Sequence, residues 1–197
     1  MRRFTTISMT IGAITTLVVL EAVAQDPKSY QGKAVPEAKQ TSVGLYVTAA
    51  EAHEQWQADP ETVRILDVRT VEEYIFIGHA PMACNIPFAF QTHEWDNTNN
   101  RFAMRPNSDF VALVSEWAKP NDTILLMCRS GSRSALSVNA LAAAGFTNVY
   151  SILDGMEGDK VKDPASLFHG KRMKNGWKNA GLPWTYDLDP AQMRIKH

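Results

Sequence analysis

Only two cysteines stand in the 197 residues, Cys84 and Cys128, too few for the disulfide framework of a small secreted scaffold. The apolar stretch Ile7 to Leu20 is 14 residues long, short of the roughly 20 that a membrane-crossing helix needs. Charge of neither sign accumulates: 20 basic residues face 21 acidic ones, a net of −1. Nucleic acid and anionic membrane surfaces are therefore not expected partners. The histidines, His53, His79, His93, His169 and His197, lack the spacing of a metal site, so no metal is expected. There is no Walker-type phosphate loop, no acid/base constellation, no internal repeat and no low-complexity segment.

What is present is concentrated in one stretch. The apolar run Thr123-Ile124-Leu125-Leu126-Met127 reads as a buried parallel strand. Cys128-Arg129-Ser130-Gly131-Ser132-Arg133-Ser134 follows, and then Ala135 to Ala144, a helix-forming segment stopped by Gly145. A strand that ends in cysteine, turns through a Gly/Ser loop and enters a helix gathers backbone N–H groups and the positive helix end at one point. Such a point stabilises a thiolate, the nucleophilic form of the side chain. Arg129 and Arg133 add fixed charge for an anionic substrate.

This loop resembles the active-site loop of the rhodanese (sulfurtransferase) family, in which a cysteine carries sulfur as a persulfide. Ile65 to Tyr74 resembles the family's first central strand and following helix. Gly78-His79-Ala80 and Asn85-Ile86-Pro87 resemble its next motif, although Met82 stands where a small residue is usual. Phe146 to Tyr150, Leu153-Asp154-Gly155-Met156 and Gly176 to Pro183 resemble its closing strand, turn and last helix. The resemblance runs from about Val47 to Trp184 with the motifs in order. It implies an α/β fold: a single rhodanese-like domain whose mainly parallel central sheet is flanked by helices.

Four residues separate Cys128 from Arg133, a six-membered loop. Related phosphatases of this fold use a wider loop for phosphate, so the resemblance favours sulfur transfer over phosphoryl or arsenate chemistry.

At the N-terminus, Arg2 and Arg3, the apolar stretch and Ala22-Val23-Ala24 predict a cleaved export signal over 1–24, with an uncleaved anchor as the alternative. Cleavage removes two of 20 basic and one of 21 acidic residues, leaving 18 against 20, a net of −2. The expected location is periplasmic or otherwise exported. Residues 25–41 read as a flexible leader, 42–190 as the domain, and 191–197 as a C-terminal tail. In an oxidising compartment a Cys84–Cys128 disulfide is one reading. The other, preferred because Ala83-Cys84-Asn85-Ile86-Pro87 reads as a short buried strand, is that Cys84 is a small apolar core residue.

Thr48-Ala49-Ala50-Glu51 and Thr70-Val71-Glu72-Glu73 are capping boxes that open helices, the first running to about Ala58 before Asp59-Pro60. Strands are expected at Leu45 to Val47 and Val63 to Val68, and an amphipathic helix at Ser108 to Ala118. Two stretches, about 88–107 and 157–175, are expected as enlarged loops. They form either a partly basic lid that shapes access to Cys128 or a surface decoration.

The resemblance implies that Cys128 takes sulfur from a small anionic donor such as thiosulfate and passes it to a thiol acceptor without any cofactor. Arg129 would bind the donor's anion, and the loop Arg129-Ser130-Gly131-Ser132-Arg133 would line the substrate. Arg133 either binds the anion or braces the loop. Ser130, Ser132 and Ser134 either donate to the sulfur or fix the loop's shape. Asp67 and Arg69 are expected as structural support, His79 as a structural hydrogen-bonding residue, and His53 as solvated. The alternative is a sulfur carrier or docking module with a periplasmic protein partner.

Overall fold

The computed structural model describes residues 29–195. The expected export signal, residues 25–28 and the last two residues of the expected tail lie outside that range.

The chain opens with β1 (Ser29–Tyr30) and β2 (Lys33–Ala34), an antiparallel pair, followed by a single 3-10 turn over Glu37–Lys39. Then come β3 (Tyr46–Val47), α1 (Ala49–Ala58), β4 (Val63–Asp67), α2 (Val71–Ile77) and β5 (Ala83–Asn85). After these follow β6 (Ala89–Asp96), β7 (Arg101–Pro106), α3 (Phe110–Trp117), β8 (Thr123–Met127), α4 (Ser132–Ala143) and β9 (Val149–Ile152).

Five strands form one sheet in the order β3-β9-β8-β4-β5, every neighbouring pair parallel. With α1 to α4 around it, this is the expected α/β architecture. Parallel strands buried on both faces need apolar residues at successive positions, and Ile65-Leu66 and Leu125-Leu126 supply them. Leu66, Ile124, Leu126 and Val149 pack with Phe110 and Val114 of α3 and with Val138 and Leu141 of α4. Ile65, Leu125, Met127 and Ile152 pack on the other face with Ala49 and Ala52 of α1 and with Trp177. Both capping boxes form: Thr48 and Glu51 close α1, and Thr70 and Glu73 close α2.

Several expectations are corrected. The described part of the supposed flexible leader is folded: Val35 is buried, and Lys39 Nζ donates to Leu153 O at 2.9 Å and reaches Asp159 Oδ1 at 2.8 Å. The first enlarged stretch is largely a β-hairpin rather than an irregular loop, β6 pairing antiparallel with β7. The second, 157–175, does stay without helix or strand, held by isolated bridges between Lys160 and Arg172 and between Val161 and His169. Gly176 to Pro183 forms turns rather than a last helix. Gly176 and Gly181, both at positive φ, bracket too few residues for a stable helix. His53 is not solvated but packs edge-on against Trp177 with ring centroids 5.5 Å apart.

Candidate active site

β8 lies inside the sheet, so its C-terminal end opens between the loops that follow its neighbours. Cys128 is the next residue. Its backbone O accepts from Met156 N at 2.8 Å, which docks the turn after β9 onto the cysteine loop. The approach is close enough to require glycine. A Cβ on Gly155 would stand 2.4 Å from Cys128 O, and one on Gly131 would stand 2.3 Å from Leu153 O. Gly131 also has φ +102, a left-handed conformation that turns the chain into α4.

That turn aims donors at the sulfur. Gly131 N donates to Cys128 Sγ at 3.1 Å, and Ser134 Oγ has its one proton shared between two acceptors, Gly131 O at 2.9 Å and Cys128 Sγ at 3.6 Å. Ser151 Oγ donates to Ser134 Oγ at 3.2 Å and holds the hydroxyl in place. The N-terminus of α4 points into the same site. Of the three serines considered from sequence, Ser134 is the one placed on the sulfur; Ser130 and Ser132 line the cavity in front of it.

Cys128 forms the floor of a cavity of about 640 Å³. Arg129 lines it and is exposed. Arg133 also lines it, but its two terminal guanidinium nitrogens donate to the Glu73 carboxylate, at 2.5 and 2.6 Å. Burial pushes the Glu73 carboxyl up, yet the hydrogen bonds and charge of Arg133 outweigh it and hold the group below the usual carboxylate range. Arg133 therefore braces the loop against α2, one of the two roles left open for it.

Asp67 and Arg69 do not reach the cavity. They are fully buried: Arg69 Nη2 donates to Asp67 Oδ2 at 2.6 Å and to Gly78 O at 2.8 Å. Arg69 N caps the same carboxylate at 3.0 Å. The pair ties the end of β4 to the end of α2. His79 is buried beside it, stacked on Tyr74 at 3.7 Å.

Residues outside the cysteine loop complete the cavity. The hairpin contributes Arg101, Phe102 and Met104, α4 contributes Leu136, and Arg172 comes from 157–175. Arg172 Nη1 is held by Gly158 O at 2.6 Å. Burial and, after it, the positive charge of Arg129 both pull this guanidinium below its ordinary value. Both enlarged stretches thus reach the site. Their charge hinted at this, but nothing local singled out Arg172 or Leu136. Among the described residues no group of His, Cys, Asp and Glu side chains is gathered to hold a metal ion.

The sequence profile of the rhodanese-like domain matches residues 48–161, more than half of the chain. The chain belongs to the rhodanese-like domain family. Thiosulfate sulfurtransferase 16, chloroplastic, of Arabidopsis thaliana is 40% identical over 94 residues, covering 47% of this chain and 69% of that protein. An uncharacterized protein of Rickettsia prowazekii is 30% identical over 122 residues, 62% of this chain and 82% of that one. The crystal structure of Rv0390 from M. tuberculosis superposes with a TM-score of 0.54 at 26% identity, covering 72% of this chain and 96% of that one. The matched span holds the cysteine loop and the strands β4 to β9, and one of the relatives is named a thiosulfate sulfurtransferase.

Proposed function

We propose that this rhodanese-like protein is a sulfurtransferase that carries sulfane sulfur on Cys128. One observation supports this above the rest: Cys128 Sγ accepts from Gly131 N at 3.1 Å at the head of α4, in a cavity that Arg129 and Arg172 also line. Those donors stabilise a thiolate and, after transfer, the persulfide. The Cys128 thiolate attacks the outer sulfur of a donor such as thiosulfate. The Sγ–S bond forms, the donor's S–S bond breaks, and sulfite leaves with that electron pair. A thiol acceptor then takes the outer sulfur and restores the cysteine. No general base is needed, because nucleophile and leaving group are both anions.

The chain is further proposed to act after export, with 1–24 removed. Mass spectrometry of protein recovered from cells should then give a chain starting at Gln25. A competing reading is a sulfur carrier that docks on a protein partner, and the exposed Trp95 and Leu167 favour it. Steady-state kinetics discriminate, since a carrier forms the persulfide yet turns over slowly with small donors.

The deciding experiment is intact-mass spectrometry after incubation with thiosulfate. A reducible gain of one sulfur atom, absent in Cys128→Ser, is expected. No gain in a protein whose Cys128 still alkylates would refute thiosulfate as donor.

A further inference from the structure

The cysteine loop is held from behind by a residue that stands outside the matched domain. Lys39 ends the 3-10 turn over Glu37–Lys39, and that whole segment precedes the span 48–161. Its side chain is 13% exposed, and it is not one of the residues that line the cavity. Its contacts fall on two parts that shape the cavity. The alkyl chain covers the glycine of the loop: a Cβ on Gly131 would stand 2.9 Å from Lys39 Cδ. Gly131 is the residue whose N–H donates to Cys128 Sγ. The ammonium donates to Leu153 O at 2.9 Å, the carbonyl that the same Cβ would meet at 2.3 Å. One side chain thus grips both the loop donor and the turn on which it rests.

The other contact runs to the far wall. Lys39 Nζ pairs with Asp159 Oδ1 at 2.8 Å. Asn175 secures the same aspartate, accepting from its N at 2.7 Å and donating to its Oδ2 at 3.3 Å. Burial pushes the Asp159 carboxyl up, yet the hydrogen bond and charge of Lys39 outweigh it and hold the group below the usual carboxylate range. The preceding residue, Gly158, holds Arg172 Nη1 on its carbonyl at 2.6 Å and donates its N–H to Arg129 O at 3.3 Å. A displacement of Asp159 therefore reaches Arg172, a cavity residue, through one peptide. The N-terminal strap has anchors of its own. Ser42 N donates to Asn139 Oδ1 of α4 at 2.8 Å, and Gln31 Nε2 donates to Glu51 Oε1 of α1 at 2.8 Å.

We propose that Lys39 is a positioning residue for sulfur transfer. Its alkyl chain fixes Gly131 against Cys128 Sγ, and its ammonium fixes Arg172 across the cavity by way of Asp159 and Gly158. The inference rests on the sulfur-transfer reading of Cys128 and assigns the N-terminal strap a part in it.

The test is single-turnover persulfide formation on the full chain over a range of thiosulfate concentrations, read by intact mass. The half-saturating concentration reports binding, and the limiting rate reports attack on the donor. Lys39→Met keeps an alkyl chain over Gly131 and removes the ammonium. It should raise the half-saturating concentration about tenfold and leave the limiting rate within about twofold. Asp159→Asn breaks the same pair from the other side and should give the same shift, while Lys39→Arg should recover part of it. Lys39→Ala also uncovers Gly131 and should lower the limiting rate about tenfold as well. In an Arg172→Gln background, Lys39→Met should move the half-saturating concentration no further, since both changes act through one guanidinium. A residue that only adds stability would lower the thermal midpoint and leave both constants alone. Wild-type constants in Lys39→Met and Lys39→Ala overturn the inference and leave sulfur transfer standing, as does a fully additive shift in the double variant. No sulfur gained by the wild-type chain overturns the sulfur-transfer reading itself, and this inference with it.

Discussion

Cys84 and Cys128 belong to the same core cluster, each 1% exposed and neither in a disulfide. They differ in where their strands end. Cys84 lies inside β5, opposite Leu66 of β4, where the strand's donors are spent on its neighbour. Burial pushes its thiol up to about 11. Cys128 stands one residue beyond β8, where the chain turns and Gly131 N and Ser134 Oγ face the sulfur. The two thiols thus share one core but meet different surroundings, a strand ladder around Cys84 and a helix-capped turn beside Cys128.

The contrast breaks completely in Cys128→Ser, which should lose the sulfur adduct while keeping the fold, as checked by circular dichroism. Cys84→Ala should do the reverse: the adduct persists, and stability falls by about 1–2 kcal/mol in urea titration. The scaffold behind the difference is the Asp67–Arg69 pair. Arg69→Ala leaves a buried carboxylate alone and should cost about 3–5 kcal/mol, a fall in thermal midpoint on the order of 10 °C. Ser134→Ala removes the hydroxyl from Cys128 Sγ without touching Cys84, and should slow persulfide formation about tenfold in single-turnover kinetics.

The smallest effect is a pH dependence. Glu73 is held below its ordinary range in the fold, so its bond to Arg133 adds stability above the unfolded value of about 4.3 and loses it as pH falls through the lower folded value. The midpoint difference between wild type and Glu73→Gln should be present at pH 7 and should vanish in strong acid.

Local signals were legible in the sequence. Thr48-Glu51 and Thr70-Glu73 announced both helix starts because a capping box is complete within four residues. The run Thr123 to Met127 announced its strand, and Cys128 behind it the start of the loop, because both depend on adjacent residues. What escaped depends on distance. The partner of Arg133 lies 60 residues away at Glu73, and Lys39 reaches Leu153 across 114, so a polar segment read as flexible is in fact packed. The hairpin was hidden because its strands carry mixed residues around an Asn-rich turn and leave no continuous apolar face. Arg172 gave no local sign, since an irregular segment acquires a position only from what it packs against.

The order of strands in the sheet also governs when the site can exist. β3 pairs with β9, and Asp154 caps Ala49 from 105 residues away. The turn that clamps Cys128 is the one following β9. Chains with such distant first contacts close late and slowly. The walls around Cys128 are therefore shared between segments far apart in the chain, and the site is complete only when both are in place.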